Sequence, residues 1–145
     1  NALEAEKLKI VSKTGGAARS QKMDGFADDS WSAEDQLWWT GAKPEHRLTL
    51  EVPVSSDSDY EVQVVLTRAR DYGIVQLSLE GKALGGPIDL YNPKVITTGV
   101  IQFDKIPLKK GAAKLQIEIV GANPKADKSY MVGIDFIRLV KQAQE

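Results

Sequence analysis

The sequence predicts an all-β fold, a β-sandwich (jelly roll) of two antiparallel sheets. Three observations carry this expectation. Apolar and polar residues alternate with a period of two along most of the chain, the pattern of strands with one face on a core. Turn-forming residues interrupt that alternation at short intervals, as in "SSDSD", "EGK", "GGP", "YNP", "KKG" and "GANPKAD". No apolar stripe of period 3.6 persists across three turns, so no helix longer than about ten residues is expected. Many short strands with regular turns describe a sandwich.

Taken in order, the chain opens with "LEAEKLKI", where Glu4 and Glu6 share strand phase with Leu8 and Ile10. The segment from Ser12 to Asp35 is polar and glycine-containing and reads as a long loop, a length that in compact domains usually has a function. Next comes "QLWWT". Successive side chains of a strand leave on opposite faces, so Leu37 and Trp39 share one phase, and Gln36, Trp38 and Thr40 the other. The leucine partner assigns Trp39 to the core and leaves Trp38 on the outer face, under the preceding loop. "HRLTLEVPV" aligns Leu48, Leu50, Val52 and Val54, and "YEVQVVL" aligns Tyr60, Val62, Val64 and Leu66. "IVQLSLEG" groups Val75, Leu77 and Leu79, and "KLQIEIVG" groups Leu115, Ile117 and Ile119. In the last strand, "VGIDFIRLV", Asp135 shares phase with Ile137 and Leu139.

Composition narrows the function. A chain of 145 residues with 42% hydrophobic and 27% charged residues has the make-up of one globular domain, residues 1–145. Nineteen basic against twenty acidic residues, a net charge of −1, give no electrostatic case for a nucleic-acid partner. No apolar run approaches the ~20 residues that span a bilayer, and no signal peptide opens the chain, so no membrane partner is expected. The absence of cysteine excludes thiolate zinc sites, disulfides and cysteine nucleophiles. The single histidine, His46, lies in the polar turn "GAKPEHR", and no G-x-S-x-G elbow accompanies it. An EF-hand over Asp24–Asp35 fails, because its third position is Phe26 and its sixth, where glycine must turn the loop, is Asp29. With no nucleophile–base pair in view, the chain is expected not to be an enzyme. Asp89 and Glu80, near strand ends, are the one pair of acids that could be imagined as a glycosidase dyad.

The acids at the two ends of the chain are in the wrong phase for water. If Leu8, Ile10, Ile137 and Leu139 point inward, so do Glu4, Glu6 and Asp135, and no lysine or arginine shares their phase. Unpaired buried carboxylates are costly. A hard divalent cation such as calcium, which takes six to eight oxygen ligands, would compensate them if the terminal strands are neighbours. The alternative places Glu4 and Glu6 at a solvated edge and Asp135 in a turn.

The opening "EAE" and the closing "GIDFIRL", with alternating strands between, resemble the calcium-containing jelly-roll carbohydrate-binding modules of families 6 and 35. The resemblance implies a structural calcium held by Glu4, Glu6 and Asp135, with backbone carbonyls completing the shell. "QLWWTGAKPEHRLTLEVPV", "DYGIVQLSLEGKALGGPIDLYNP" and "IVGANPKADKSYMVGIDFIRL" look like an accessory domain at the C-terminal end of large secreted bacterial proteins, glycoside hydrolases among them. That likeness implies a secreted or periplasmic location and a polysaccharide or oligosaccharide partner, with a catalytic domain in the same parent chain. One position departs: many such modules carry a ligand-binding asparagine two residues before the final aspartate, and here that position is Gly133.

Sugar sites combine aromatic faces with amides and carboxylates. The ligand-binding candidates on predicted loops are Trp31, Tyr72, Tyr91, Asn92, Asn123 and Tyr130, with Trp31 the first choice for stacking. Against this, sandwiches plug their ends with Tyr and Trp, and "YNP" and "GANP" are turns in their own right. Two functions follow: a noncatalytic carbohydrate-binding module with a structural calcium, or a structural accessory domain that packs on a catalytic domain or partner and binds no sugar. An exposed aromatic strip favours the first and a broad apolar patch the second.

Overall fold

A computed structural model describes residues 1–142. Eleven strands run β1 Leu3–Glu4, β2 Ile10–Lys13, β3 Ala17–Lys22, β4 Asp35–Thr40, β5 Arg47–Val54, β6 Ser58–Arg68, β7 Ile74–Leu79, β8 Lys82–Asp89, β9 Ile96–Leu108, β10 Gly111–Gly121 and β11 Val132–Lys141. The only helical pieces among the described residues are the 3-10 turns Ala5–Lys7 and Ser32–Glu34. One sheet has the order β3-β4-β11-β6-β9, with β1 also on β11; the other has the order β2-β5-β10-β7-β8. All pairings between strands are antiparallel. The fold is the sandwich that the alternation predicts.

The core consists of the aligned rows. On β10, Leu115 sits opposite Leu50 on one side and Leu79 on the other, and Ile117 sits opposite Leu48 and Leu77. Across the interior stand Leu37, Trp39, Val62, Val64, Leu66, Ile134 and Ile137, all at most 3% exposed. Every member of the predicted inward set is buried except Leu139, which is half-buried against the core. Each such side chain contributes roughly 1.5–3 kcal/mol by leaving water.

Three departures matter for the site. The predicted long loop contains β3, which pairs residue by residue with β4 from Ala17↔Thr40 to Lys22↔Asp35. β8 bulges at Gly85, Gly86 and Pro87, where its register with β7 slips between Val75↔Ile88 and Leu77↔Leu84 and Gly85 takes a φ of 59°, an irregularity that an edge strand tolerates. Glu4 and Glu6 do not share a strand. The chain leaves β1 through the turn at Ala5–Lys7 and crosses to the other sheet as β2, where Ile10 is 36% exposed.

Candidate functional site: a carboxylate cleft between the terminal strands

β11 pairs with β4 through Val132–Ile134 and with β1 through Phe136 and Ile137. Asp135 falls between the two neighbours. It has no ladder partner on β6 either, where the register slips between Ile134 and Phe136. This bulge turns a carboxylate into the gap between β1 and β4, where it is only 2% exposed. Asp135 and Ile137 are both buried, as their shared phase predicts, and the bulge separates that phase from the one of Val132 and Ile134.

Ser32, in the turn before β4, ties the cleft together. Its backbone N–H donates to both Asp135 carboxylate oxygens at 3.1 Å, and its hydroxyl donates to Glu4 Oε2 at 2.7 Å. The two residues after it, Ala33 and Glu34, hold φ values of 51° and 61°, a left-handed conformation uncommon for residues other than glycine. The backbone bends sharply to present that one N–H.

The electrostatics are one-sided. Burial pushes the Asp135 carboxyl up from 3.8 to about 7; the Ser32 N–H opposes this, and Glu4, Glu6 and Asp29 add to it. The Glu6 carboxyl is also raised, by burial first and then by Glu4 and Asp35, against its own backbone N–H and Lys7. No cation acts on Asp135. Glu4 Oε1 and both Glu6 carboxylate oxygens are buried without a hydrogen-bond partner, the Glu6 N–H lying close to its own carboxylate but outside hydrogen-bond geometry. Buried polar atoms are almost always satisfied, so three orphan acceptors in one cleft call for a donor or a cation. The donor set, carboxylates only, is that of a hard cation. Among the described residues, no three such groups yet close on one point at metal-holding distance. The cleft is like-charged.

The predicted sugar-binding residues are placed less openly. Trp31 is 6% exposed, donates through Nε1 to Thr67 Oγ1 at 2.8 Å and packs edge-on against Phe26 at 6.1 Å. It anchors the loop and offers no free face. Tyr72 is also buried; its hydroxyl accepts from Gln36 Nε2 at 3.0 Å, and burial raises its pKa. Tyr91, Asn92, Asn123 and Tyr130 are partly exposed. The two amides first serve their own turns: Asn92 Oδ1 accepts from Lys94 N–H and Asn123 Oδ1 from Lys125 N–H, each at 2.9 Å. Asn123 Nδ2 also donates to Asp89 Oδ2 at 2.8 Å, joining the loop after β10 to the end of β8. His46 is a turn residue whose Nδ1 accepts from Lys43 N–H at 3.0 Å.

The Asp89–Glu80 dyad does not form. Glu80 is in the β7–β8 hairpin turn, while Asp89 pairs with Ile74 at the open end. A strand of six residues separates them by about 17 Å at 3.4 Å per residue, beyond the ~5–9.5 Å of glycosidase pairs. The large apolar side chains left exposed, Ile10, Val11, Val100, Val120 and Val140, are spread over both sheets rather than forming one patch.

Sequence reasoning missed a buried polar network. Gln36 is fully buried and donates to Gln21 Oε1 at 2.8 Å and to Tyr72, while its Oε1 accepts from the Thr67 hydroxyl. Its amide fills the space a side chain at Gly133 would need. Gly133 therefore leaves room for Gln36, and the asparagine seen in similar modules has no place here. Trp38 lies half-buried on the same outer face, capped by the Arg19 guanidinium 5.1 Å from its ring, while Trp39 is fully buried. Both tryptophans stand as the strand phase predicts.

No protein-family profile matches the chain, and no curated protein sequence matches it. Solved structures do. The chain superposes on a xanthan lyase from Paenibacillus with a TM-score of 0.75 at 22% identity, over 98% of its own length but 13% of the lyase chain. It matches a family 35 carbohydrate-binding module from Clostridium thermocellum with a TM-score of 0.55 at 20% identity, over 97% of this chain and 98% of that one. A family 36 carbohydrate-binding module in complex with calcium and xylotriose gives a TM-score of 0.55 at 17% identity, covering 96% and 98%. The fold of this chain is that of the jelly-roll carbohydrate-binding modules.

Proposed function

We propose that the chain is a noncatalytic accessory module of a secreted polysaccharide-active protein. In this reading Glu4, Glu6 and Asp135 hold a structural calcium ion that fastens the first strand to the last. The observation that carries it is the cleft itself: orphan oxygens on Glu4 and Glu6 beside a buried Asp135, on which no lysine or arginine acts. Calcium would supply the missing charge and draw the three carboxylates inward, with nearby backbone carbonyls completing its shell. The fold supports the reading, since one neighbour is a module in complex with calcium. The match to a small share of a xanthan lyase chain supports a catalytic domain elsewhere in the parent protein.

The sugar-facing end, in this reading, is the loop cluster of Tyr91, Asn92, Asn123 and Tyr130, whose partly exposed rings and amides are the chemistry a pyranose takes. A second reading, a structural accessory domain that binds no sugar, draws on the burial of Trp31 and Tyr72 and on Gly133. Affinity gel electrophoresis separates them. Run on gels containing xanthan, xylan or mannan, with calcium or chelator, the module is expected to be retarded by at least one polymer in calcium. Retardation by none, in either condition, rejects sugar binding in favour of the packing role.

A further inference from the structure

On the outer face of the β4 sheet, a cavity of about 120 Å³ opens beside Trp38. Its walls include the rings of Phe26, Trp38 and Tyr72 and the side chains of Met23 and Met131, with Asp71 at its edge. These are the chain's only two methionines. The size is close to the ~150 Å³ that accepts a benzene-sized guest. The walls are fixed: Met131 N–H donates to Asp71 O at 3.1 Å and Gly73 N–H to Met131 O at 3.0 Å, while Met23 N–H donates to Glu34 O at 2.7 Å.

Asp71 is the telling residue. It is half-buried, and its carboxylate forms no ion pair among the described residues. Its neighbour Arg70 turns away to Asp127, 3.6 Å from Nε to Oδ2. Arg19 stacks on Trp38 but lies outside the cavity lining. This half-buried carboxylate leaves a negative charge beside an aromatic and thioether pocket with no protein cation paired to it among the described residues. Ring faces carry negative potential, and thioethers are soft and polarisable. The other polar side chains in the lining, Gln21 and Tyr72, already accept from Gln36 Nε2, which leaves few groups for sugar hydroxyls. A compact, weakly hydrated cation finds ring faces, sulfur and a counter-charge together.

We propose that this pocket binds a methylated ammonium group, held by Phe26, Trp38 and Tyr72 and neutralised by Asp71. The site is separate from the carboxylate cleft and stands whether or not calcium binds there.

The two methionines give the assay. Protein labelled with 13C at the methionine methyls shows two signals, both reporting on this cavity. Choline is titrated against its neutral isostere 3,3-dimethylbutan-1-ol, with phosphocholine alongside to separate a free cation from a headgroup. Choline is expected to move both signals saturably, and the isostere to bind at least about tenfold more weakly. Asp71→Asn should reduce choline affinity about tenfold and leave the isostere unchanged, its unliganded methyl signals serving as the check on fold. Phe26→Leu, in the exposed loop, should weaken choline further. Equal responses to choline and the isostere, no response to either, or an Asp71→Asn protein that binds choline normally would each overturn the proposal.

Discussion

Trp39→Ala is the sharpest test of the packing. Trp39 is 0% exposed, lies in the central core and donates through Nε1 to Gly15 O at 2.9 Å. Removing the ring leaves a cavity, which costs about 3–5 kcal/mol. The lost hydrogen bond adds about 1 kcal/mol. The neighbouring Trp38→Ala removes a half-buried ring and its cation–π contact with Arg19, worth about 1–2 kcal/mol in burial and stacking. Thermal unfolding followed by circular dichroism reads both. At about 2–4 °C per kcal/mol for a domain of this size, Trp39→Ala should melt roughly 10–20 °C below the unmutated protein, and Trp38→Ala by less than half of that. A Trp38→Ala loss equal to or larger than the Trp39→Ala loss would refute the inward assignment of Trp39.

Other expectations follow from the same geometry. Gly133→Ala places a methyl on the Gln36 amide and should cost about 1–3 kcal/mol as overpacking, read as a lower urea midpoint; a neutral result would mean that Gln36 is free to move. Thr67→Val keeps the shape but removes the acceptor of Trp31 and the donor to Gln36, costing about 1–3 kcal/mol and loosening the Trp31 loop, which limited proteolysis should detect. In chelator, Asp135 ionises at about 7 in the folded state against an ordinary value of 3.8. The folded protein therefore holds a proton that the unfolded chain has lost, so stability falls as pH rises from about 4 to about 7. Asp135→Asn should remove that part of the slope in urea midpoints measured across this range, and an unchanged slope would contradict the burial assigned to Asp135.

The strand faces were legible in the sequence because burial on one side imposes a period of two. Leu48, Leu50, Leu115 and Ile117 follow it without exception, and so do Trp38 and Trp39. The carboxylate cleft was legible only as an anomaly. Glu4, Glu6, Leu8 and Ile10 alternate as a strand does, but the chain kinks after Glu4 and changes sheets. A short edge strand such as β2 buries little, and its apolar residues carry no reliable inward signal. The bulge at Asp135 is a backbone event with no residue signature. β3 was hidden because its mostly exposed residues, "AARSQK", lack an apolar face. The Gln36 network escaped notice because a glutamine that follows an aspartate and shares phase with Trp38 and Thr40 reads as surface. Its partners lie 15 to 36 residues away along the chain.

The most direct test of the account is the melting temperature of the unmutated protein and of Asp135→Asn, each in millimolar calcium and in chelator. The account predicts a melting temperature higher in calcium by about 5 °C or more for the unmutated protein, the stabilisation given by a ligand present at hundreds of times its dissociation constant, and no shift for Asp135→Asn. Identical melting temperatures in calcium and in chelator for the unmutated protein would contradict it.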